Sequence, residues 1–330
     1  MPTTTTIGIA GATGYAGQEL IRLGARHPGI RIGAAMASGT SGSARALPAL
    51  SHLWNGNIEP LSVDRLAAGC DTVFLTLPDS VAAQIGPALV AQGVRVFDLS
   101  GTFRLRDPTQ RHHWYPATPD LDTPVVYGLT EYARAALPEA RLVACPGCYP
   151  TAALLALRPL HDAGSIQGDV IIDAKSGISG AGKTPSERTH FSECHGSVAA
   201  YSVLGHRHGA EIEQELGREA TFTPHLVPLD RGILETIYVR TAAGVTESQI
   251  ASIFQRTYEH APFVRVVGNA LPEIKHVVHT NFCDIGWQFD ASTSRLVIVA
   301  CLDNLVKGAA GQAIQNLNVA LGFDETTGLT

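Results

Sequence analysis

The sequence predicts an α/β protein of two domains, and three observations support that prediction. Short apolar runs alternate with helical stretches over the first hundred residues, as in a parallel sheet covered by helices on both faces. After residue 150 the runs rich in β-branched residues are more widely spaced, which is typical of a mixed or antiparallel sheet. The chain has 330 residues, of which 45% are hydrophobic, enough to form two cores.

The first domain is predicted to open with a strand, a glycine turn and a helix. Residues 7–10 form the apolar run, residues 11–14 break it, and residues 15–26 carry apolar side chains at helical spacing. The alternation then continues, with predicted strands at 31–36, 72–77 and 94–99 and a helix at 80–92.

The second domain is predicted to begin with a helix near Pro150, because proline is favoured in the first turn of a helix. This helix covers residues 150–158, and a helical period returns over 303–321. The predicted strands of this half cover residues 168–174, 236–241, 263–267 and 295–301.

Composition excludes several classes of protein. The chain carries 24 Lys+Arg against 30 Asp+Glu, a net charge of −6, with no basic run that would bind nucleic acid. No apolar stretch approaches the roughly 18 residues of a membrane span, and the first residues lack the basic and apolar regions of a signal peptide. Six cysteines are too few for a disulfide framework. We therefore expect a cytoplasmic protein with free thiols that binds neither nucleic acid nor a membrane.

Gly11, Gly14 and Gly17 have the spacing G-x-x-G-x-x-G between the first strand and the first helix. This context predicts a Rossmann-type nucleotide-binding domain. Gly11 would permit a tight turn, Gly14 would let a pyrophosphate approach the backbone, and Gly17 would let the helix pack closely on the strand. The start of the helix would then face the anion. The alternative is a glycine-rich loop without a ligand.

The end of the second predicted strand favours NADP over NAD. An NAD site usually has an acidic residue there to bond the ribose 2′-hydroxyl, and residues 36–41 include none. The hydroxyls of Ser38, Thr40 and Ser41, with Arg45 further on, suit a 2′-phosphate better. The alternative is an exposed polar loop.

Cys148 is the candidate nucleophile because it lies beside the predicted start of a helix. The unpaired N–H groups and the dipole there favour the thiolate. Cys145 lies three residues further from the helix, and together the two match the C-x-x-C spacing of zinc or thioredoxin-like sites. A second cysteine pair is missing, so no metal is predicted. A buried structural cysteine is the alternative for Cys148.

Two further segments carry polar groups suited to an anionic substrate. His206 and His208 flank Arg207 before a helical stretch at 212–216, and can supply a base for a thiol. An H-x-H pair can also bind a metal, but no third ligand has a clear spacing. Residues 176–182, rich in Gly and Ser after a strand, predict an anion-binding nest, with a flexible loop as the alternative.

Together these features predict one reaction class, the reductive dephosphorylation of an acyl phosphate. A thiolate attacks the acyl group, the nest holds the departing phosphate, and hydride moves between a nicotinamide and the thioester. Backbone N–H groups at the helix start beside Cys148 can stabilise the oxyanion.

The motifs resemble those of the N-acetyl-γ-glutamyl-phosphate reductase family, relatives of aspartate-semialdehyde dehydrogenase. The segments P-G-C-Y-P-T at 146–151 and G-H-R-H at 205–208 are highly specific, and the resemblance spans nearly the whole chain. It also rests on residues 11–17, 98–100, 103–105, 175–182 and 303–313.

The resemblance implies NADPH-dependent reduction of N-acetyl-γ-glutamyl phosphate to N-acetylglutamate semialdehyde through a cysteine thioester, in arginine biosynthesis. It makes Cys148 the nucleophile and His206 with His208 the acid/base pair, with His208 preferred as the base. The substrate-binding residues that it implies are Ser100, Arg104, Ser176 and Glu211. Those near the cofactor are Gly11, Thr13, Gly14, Tyr15, Gly17, Ser38, Ser179, Gly180, Asn304 and Gln312.

The resemblance also implies domain boundaries, because the C-terminal helix of this family packs back on the nucleotide-binding domain. Residues 1–147 with 303–330 would form that domain, and 148–302 the catalytic and oligomerisation domain. The expected partners are an acyl-phosphate substrate, inorganic phosphate and further copies of the chain, as a dimer or a tetramer.

The sequence departs from the family pattern at three places. Gly39 follows Ser38 where relatives have arginine, Asp79-Ser80 replaces His-Gly, and Gly209-Ala210 precedes Glu211 where a proline is usual. Two other functions stay open at this stage: reduction of the one-carbon-longer N-acetyl-aminoadipyl phosphate, and NADP sensing without catalysis.

Overall fold

A computed structural model describes residues 4–38 and 45–330. The chain forms two compact units, one from the residues up to Pro146 together with Ala309–Thr330, the other from Gly147–Gly308. Over the described residues, no helix is both long and apolar enough to cross a bilayer.

The first unit is built around an eight-stranded sheet. Its strands are β1 (Thr5–Ala10), β2 (Ile30–Ala37), β3 (Arg45–Ala46), β4 (Asn57–Pro60), β5 (Thr72–Leu75), β6 (Arg95–Asp98), β7 (Val125–Tyr127) and β8 (Leu142–Ala144). Its helices are α1 (Tyr15–Arg26), α2 (Val63–Gly69), α3 (Asp79–Ala91), α4 (Pro108–Trp114), α5 (Thr130–Ala133) and α10 (Gly311–Leu321). The strand order is β3-β4-β2-β1-β5-β6-β8-β7, and only the β3–β4 pair is antiparallel.

Helices cover both faces of this sheet, because the side chains of its buried strands are apolar on both sides. On one face Ile9, Phe74 and Phe97 join a core with apolar side chains of α1 and α10. On the other face Val73 and Val96 join a core with side chains of α2 and α3. The predicted parallel sheet with two covered faces is confirmed.

The second unit is built around a mixed seven-stranded sheet, as predicted. Its strands are β9 (Ile166–Gly177), β10 (Ala199–Ala200), β11 (Thr221–Val227), β12 (Ile233–Thr241), β13 (Val264–Gly268), β14 (Cys283–Asp290) and β15 (Arg295–Leu302). Its helices are α6 (Cys148–Asp162), α7 (Phe191–Cys194), α8 (Arg207–Leu216) and α9 (Glu247–Tyr258). The strand order is β10-β11-β9-β12-β15-β14-β13, and α6 packs on β9, β12 and β15.

Two predicted helix starts differ from the structure. The C-terminal helix α10 begins at Gly311 after a π-helical turn at Val306–Ala310, later than predicted. The carboxylate of Asp303 accepts the N–H groups of Leu305 and Val306, which holds the chain in a turn before the helix. In contrast, α8 begins at Arg207, earlier than predicted, because His206 caps it.

Candidate active site

The glycine turn between β1 and α1 has the geometry that was predicted for it. Gly11 has φ +97°, and a Cβ atom there would lie 2.4 Å from the carbonyl oxygen of Thr76. A Cβ at Gly17 would lie 2.3 Å from the carbonyl oxygen of Gly11. The helix α1 and the glycine turn therefore contact each other through backbone atoms alone. Both positions therefore exclude side chains.

The start of α1 is suited to an anion. Gly14 is its N-cap residue and provides no side-chain cap, and the first turn carries no acidic residue. The space beyond Gly14 is open, since a Cβ there would meet nothing closer than the Gly11 oxygen at 3.4 Å. Thr13 is half-buried and Tyr15 is exposed on the same turn. These residues fit a dinucleotide pyrophosphate bound at a helix N-terminus.

Ser38 lies at the same edge of the sheet as the glycine turn. β1 and β2 are parallel, Ala10 pairs with Met36, and the N–H of Gly11 donates to the Met36 oxygen at 2.8 Å. Ser38 follows the end of β2 and is exposed. Gly39, Thr40 and Ser41 lie outside the described residues, so the rest of the predicted 2′-phosphate contact is not addressed by the structure.

Polar residues after β6 form a buried network in the first unit. The Ser100 hydroxyl donates to Asp98 Oδ2 at 2.7 Å, and Arg104 donates through Nε to the Cys145 oxygen at 2.8 Å. Arg104 is only 6% exposed, so it is not a solvated loop charge. Burial raises the pKa of Asp98 to about 6, although hydrogen bonds from Ser100 lower it.

Asp79, one of the departures from the family pattern, belongs to the same network. It is the first residue of α3, its Oδ1 accepts the N–H of Gly101 at 2.8 Å, and its backbone oxygen accepts the Thr102 hydroxyl. Asp79 therefore ties the start of α3 to the loop that carries Ser100. The departure from the family pattern at Asp79 is visible in the sequence, but its contact with Gly101 was not predicted.

The two cysteines of the C-x-x-C segment have different surroundings. Cys145 is 1% exposed, and burial together with the charge of Asp98 raises the pKa of its thiol to about 12. Cys148 is half-buried and is the first residue of α6, whose N-cap Gly147 offers no side-chain cap. The positive end of the helix dipole therefore lies at Cys148, as predicted. Within the described residues, no three His, Cys, Asp or Glu side chains are grouped to hold a metal ion.

Two contacts fix the position of Cys148. Glu211, which is 1% exposed, accepts the N–H of Gly147 through Oε1 at 2.8 Å. A Cβ atom on Gly308 would lie 2.7 Å from the Cβ of Cys148, so this glycine packs directly against the predicted nucleophile. The position of Glu211 next to Gly147, and the approach of Gly308, were not predicted. Both involve residues more than sixty positions apart, and no local pattern reports such contacts.

The histidine pair lies at the start of α8, in the same unit as Cys148. His206 is the N-cap residue, and its Nδ1 accepts the N–H of His208 at 3.1 Å. The two ring centroids are 4.8 Å apart, and the Tyr149 ring lies 6.1 Å from His206 and 5.9 Å from His208. Burial raises the pKa of Tyr149, and the charge of Cys148 adds to that rise, so the predicted nucleophile lies near the cluster of Tyr149 and the two predicted bases.

The members of the histidine pair are not equivalent. Burial, with a smaller contribution from Arg207, lowers the pKa of His206 to about 4, so this ring is neutral at pH 7. Its Nδ1 is already used to cap α8. His208 is 7% exposed and lies one turn before Glu211. The capping role of His206 favours His208 as the base.

Aromatic side chains that were not predicted complete this cluster. The hydroxyl of Tyr149 lies 3.3 Å from that of Tyr201, and the Tyr201 ring is 5.5 Å from His206. Tyr149 also shares a hydrogen bond with Ser176, and burial raises its pKa. Tyr149 belongs to the P-G-C-Y-P-T segment and could have been found from that motif. Tyr201 has no comparable sequence signal.

The predicted anion nest is held in shape by Asn304. Its Nδ2 donates to the Ser179 hydroxyl at 3.0 Å, and its Oδ1 accepts the N–H of Gly232 at 2.7 Å. Ser176, Ser179 and Asn304 are all buried, whereas Gly180 is exposed. Gly180, like Ala181 and Gly182, is thus an exposed member of the nest, while the buried side chains of Ser176 and Ser179 shape the loop.

Gln312 occupies the interior of the first unit. It lies on α10, is fully buried, and donates through Nε2 to the Thr130 hydroxyl at 2.6 Å and to the Gly128 oxygen at 3.2 Å. Its side chain therefore joins α10 to the segment between β7 and α5. Its predicted role near the cofactor stays a prediction.

Comparison with known proteins assigns the two units to one class of protein. Residues 6–140 match the family model "Semialdehyde dehydrogenase, NAD binding domain", and residues 148–304 match "Semialdehyde dehydrogenase, dimerisation domain". The chain is thus of the semialdehyde dehydrogenase class.

Curated relatives narrow the class to a family. The chain is 46% identical to "N-acetyl-gamma-glutamyl-phosphate reductase" of Symbiobacterium thermophilum, over 99% of this chain and 97% of that protein. It is 44% identical to the protein of the same name from Shouchella clausii, over 98% and 97% of the two chains. The chain belongs to the N-acetyl-γ-glutamyl-phosphate reductase family, which confirms the resemblance seen in its motifs.

Solved structures support the fold. Aspartate semialdehyde dehydrogenase II of Vibrio cholerae, complexed with ASA, is 18% identical with a TM-score of 0.74, over 97% of this chain and 99% of that one. The Candida albicans enzyme with NADP is 16% identical with a TM-score of 0.71, again over 97% and 99%. At this level of identity the likeness concerns the fold alone.

Proposed function

We propose that this protein catalyses the NADPH-dependent reductive dephosphorylation of N-acetyl-γ-glutamyl phosphate to N-acetylglutamate semialdehyde, a step of arginine biosynthesis. The names of its relatives support the substrate. The observation that carries the mechanism is the cluster in the second unit, where Cys148 begins α6 and the histidine pair begins α8.

Cys148 is the proposed nucleophile. At the first position of α6 its sulfur experiences the positive end of the helix, which stabilises a thiolate over a thiol. The sulfur attacks the acyl carbon, a C–S bond forms, and the bond from carbon to the phosphate oxygen breaks, which releases inorganic phosphate. Glu211 already holds the N–H of Gly147. Stabilisation of the oxyanion is therefore assigned to N–H groups within the first turn of α6.

His208 is the proposed acid/base residue. It removes the thiol proton before attack and protonates the oxygen of the thiohemiacetal that reduction leaves on Cys148. It then takes the hydroxyl proton back as the C–S bond breaks, which releases the semialdehyde and the thiolate. His206 supports it as the cap of α8 and stays neutral at physiological pH. The proposal assigns contacts with the substrate to Ser100, Arg104, Ser176 and Glu211. Glu211 also accepts the N–H of Gly147 beside the proposed nucleophile.

The proposed cofactor is NADP. Gly11, Gly14 and Gly17 would hold its pyrophosphate at the start of α1, and Ser38 lies at the sheet edge where a 2′-phosphate would bind. The remaining proposed contacts are Thr13, Tyr15, Ser179, Gly180, Asn304 and Gln312. When bound, NADPH supplies the hydride that reduces the thioester.

We extend the proposal to the organisation of the protein. Residues 1–147 with 303–330 act as the nucleotide-binding domain, and 148–302 as the catalytic and oligomerisation domain. The match of residues 148–304 to a dimerisation domain supports association of identical chains. The proposed location of the protein is the cytoplasm.

The test is a phosphate-dependence assay in the oxidative direction. We expect the wild-type protein to oxidise N-acetylglutamate semialdehyde with NADP only when inorganic phosphate is present. Cys148→Ser should lower the rate at least about 10³-fold and leave NADP affinity unchanged, because the thiolate is the nucleophile. Cys194→Ser is the matched control, since Cys194 is also a half-buried free thiol in the second unit.

Three results would contradict parts of the proposal. Oxidation without phosphate would contradict the proposed acyl-phosphate reaction. Near-normal rates in Cys148→Ser would contradict the proposed role of Cys148 as the nucleophile. Faster turnover of the one-carbon-longer aminoadipyl semialdehyde would change the substrate.

A further inference from the structure

The turn that follows β15 packs against the proposed nucleophile. Residues 303–308, here called the support turn, include the start of the π-helical turn Val306–Ala310. Gly308 ends the support turn, and a Cβ atom there would lie 2.7 Å from the Cβ and 3.2 Å from the Cα of Cys148. These distances leave no room for even one methyl group. The position of Cys148 therefore depends on the position of this turn.

Asp303 anchors the start of the support turn. It is fully buried, and its Oδ2 lies 3.1 Å from Nε of Arg231. The same carboxylate accepts the N–H of His279 at 2.6 Å and that of Leu305 at 2.8 Å. The backbone oxygen of Asp303 accepts the N–H of Gly308 at 2.9 Å. The two ends of the turn are thus joined, and its start is held by other segments of the same unit.

Lys307 anchors the other end of the support turn. Its side chain is fully buried, although lysine is rarely buried because its charge is costly to remove from water. Its Nζ lies 5.9 Å from the centre of the Phe263 ring, which is also fully buried, within the range of a cation–π contact. The side chain therefore extends into the interior, and a shift of Lys307 would move Gly308 through a single peptide bond.

Stability alone gives no reason for a charged side chain at this position. Replacing a buried charged group by an apolar group of similar volume is often neutral or stabilising. What a buried ammonium adds is direction, since only particular groups of the interior can hold it. The π-helical turn around Lys307 points the same way, because such turns are frequent at functional sites.

The support turn also reaches the predicted anion nest. Asn304 donates through Nδ2 to the Ser179 hydroxyl at 3.0 Å, and its Oδ1 accepts the N–H of Gly232 at 2.7 Å. One segment of six residues therefore contacts the nest near its start and Cys148 at its end. It is thus placed to set the spacing between the sulfur and the loop that is proposed to hold the departing phosphate.

We propose that Lys307 is a positioning residue, which holds the support turn so that Gly308 keeps Cys148 in place at the start of α6. The inference rests on the proposed role of Cys148 as the nucleophile and adds a residue that acts through it. Loss of this support should change kcat and the reactivity of the thiol. It should leave the affinity for NADP unchanged, because the pyrophosphate is proposed to bind at the glycine turn of the first unit.

The first experiment is Lys307→Met, which keeps the length of the side chain and removes its charge. The denaturation midpoint should stay at the wild-type value or rise. We expect kcat to fall about tenfold or more with an unchanged KM for NADP, because the thiol loses its fixed position. Lys275→Met is the matched control, since Lys275 is exposed in the same unit, and it should turn over like wild type.

The second experiment is Gly308→Ala, which places a methyl group against Cys148. We expect kcat to fall about tenfold or more, again with an unchanged KM for NADP. Gly286→Ala is the matched control, because its Cβ would lie 2.2 Å from the backbone oxygen of Ala270 in the same unit. Both alanine variants should unfold more readily than wild type, but only Gly308→Ala should lose turnover. If Gly308→Ala does not fold, Lys307→Met provides the test.

Alkylation of Cys148 gives a readout that does not depend on the substrate. Iodoacetamide labelling from pH 5 to 10, followed at Cys148 by mass spectrometry, gives the midpoint of thiol ionisation. In Lys307→Met and Gly308→Ala this midpoint should rise by about half a pH unit or more, because displacement from the first turn of α6 weakens the stabilisation of the thiolate. Lys275→Met and Gly286→Ala should keep the wild-type midpoint.

The possible failures can be distinguished. A wild type without phosphate-dependent activity contradicts the proposed function, and the alkylation midpoints then still test the support turn. Wild-type values of kcat and of the midpoint in Lys307→Met contradict the positioning role of Lys307 alone. An equal loss of kcat in Gly308→Ala and Gly286→Ala contradicts the role of the support turn, because general destabilisation would then account for both.

Discussion

Two buried glutamates of the second unit have opposite surroundings. Glu211, on α8, accepts the N–H of Gly147 at 2.8 Å. Glu235, on β12, is fully buried between Ala174 of β9 and Ala300 of β15, and neither carboxyl oxygen has a hydrogen-bond partner. A buried carboxyl group is unfavourable unless it is hydrogen-bonded. Glu211 holds the start of α6 beside Cys148 in place, whereas Glu235 lowers the stability of the sheet.

The electrostatics of Glu235 agree with its lack of partners. Burial raises its pKa well above the ordinary value, and the positive charge of Lys175 lowers it only in part. The Lys175 ammonium lies 2.9 Å from Asp173 Oδ2, so that charge is already paired. Burial without hydrogen-bond partners therefore favours the uncharged form of Glu235 in the folded protein.

The largest effect is expected at Glu211. Glu211→Ala leaves the Gly147 N–H without its acceptor, so we expect the free energy of unfolding to fall by about 2–3 kcal/mol. Displacement of Cys148 should lower kcat about 100-fold. Glu211→Gln retains an acceptor oxygen and should restore most of both. Chemical denaturation and steady-state kinetics provide the measurement, and an alanine variant as active as the glutamine variant would contradict the positioning role.

A change of opposite sign is expected at Glu235. Glu235→Leu removes a buried polar group without a partner, so we expect stability at pH 7 to rise by about 1–3 kcal/mol. In wild type the raised pKa of Glu235 keeps the folded chain protonated over a range of pH in which the unfolded chain is already ionised. Stability contributed by this group is therefore present at low pH and is lost as pH rises toward the folded pKa, by at most about 1.4 kcal/mol per pH unit.

The matched control for this pH dependence is Glu235→Gln. It keeps the size and polarity of the side chain but cannot ionise, so denaturation curves from pH 4 to 8 should show a smaller decline than in wild type. A wild-type decline that is identical in Glu235→Gln and Glu235→Leu would assign it to other groups.

The smallest effect is expected at His206, which starts the helix that carries Glu211. His206→Ala removes the cap of α8 and should lower the free energy of unfolding by about 1 kcal/mol, whereas His206→Asn retains an acceptor. Because the folded pKa is lowered to about 4, stability from this group is present above pH 6.5 and is lost as pH falls toward 4. Denaturation at pH 5 and 7.5 should show this loss in wild type and not in His206→Asn.

Much of the fold could be predicted because its signals are local. The strand, glycine turn and helix over residues 5–26 follow from apolar spacing and glycines within one short segment, and α1 occupies the predicted range. β14 was missed, although Trp287 and its neighbours form a buried strand there. Its sequence combines apolar and charged residues, and only pairing with β15 and β13 makes it a strand.

For the site, the sequence predicted which residues are candidates but not which contacts they make. Cys148 could be preferred over Cys145 because the helix start is visible in the sequence, and the deep burial of Cys145 agrees with that choice. The contact of Glu211 with Gly147 spans 64 positions in the chain. The buried contacts of Asn304 and Gln312 also depend on tertiary packing. No sequence pattern encodes such distances, so motifs identify which residues matter but not what they touch.

The place of α10 has a consequence for synthesis on the ribosome. This helix supplies Ile314 and Leu317 to the same core as Phe74 and Phe97, yet it follows the entire second unit in the chain. At roughly 5–20 residues per second, translation of the intervening segment takes on the order of ten to thirty seconds. During that interval the nascent sheet of the first unit has one apolar face without its last helix, and chaperones have time to bind it.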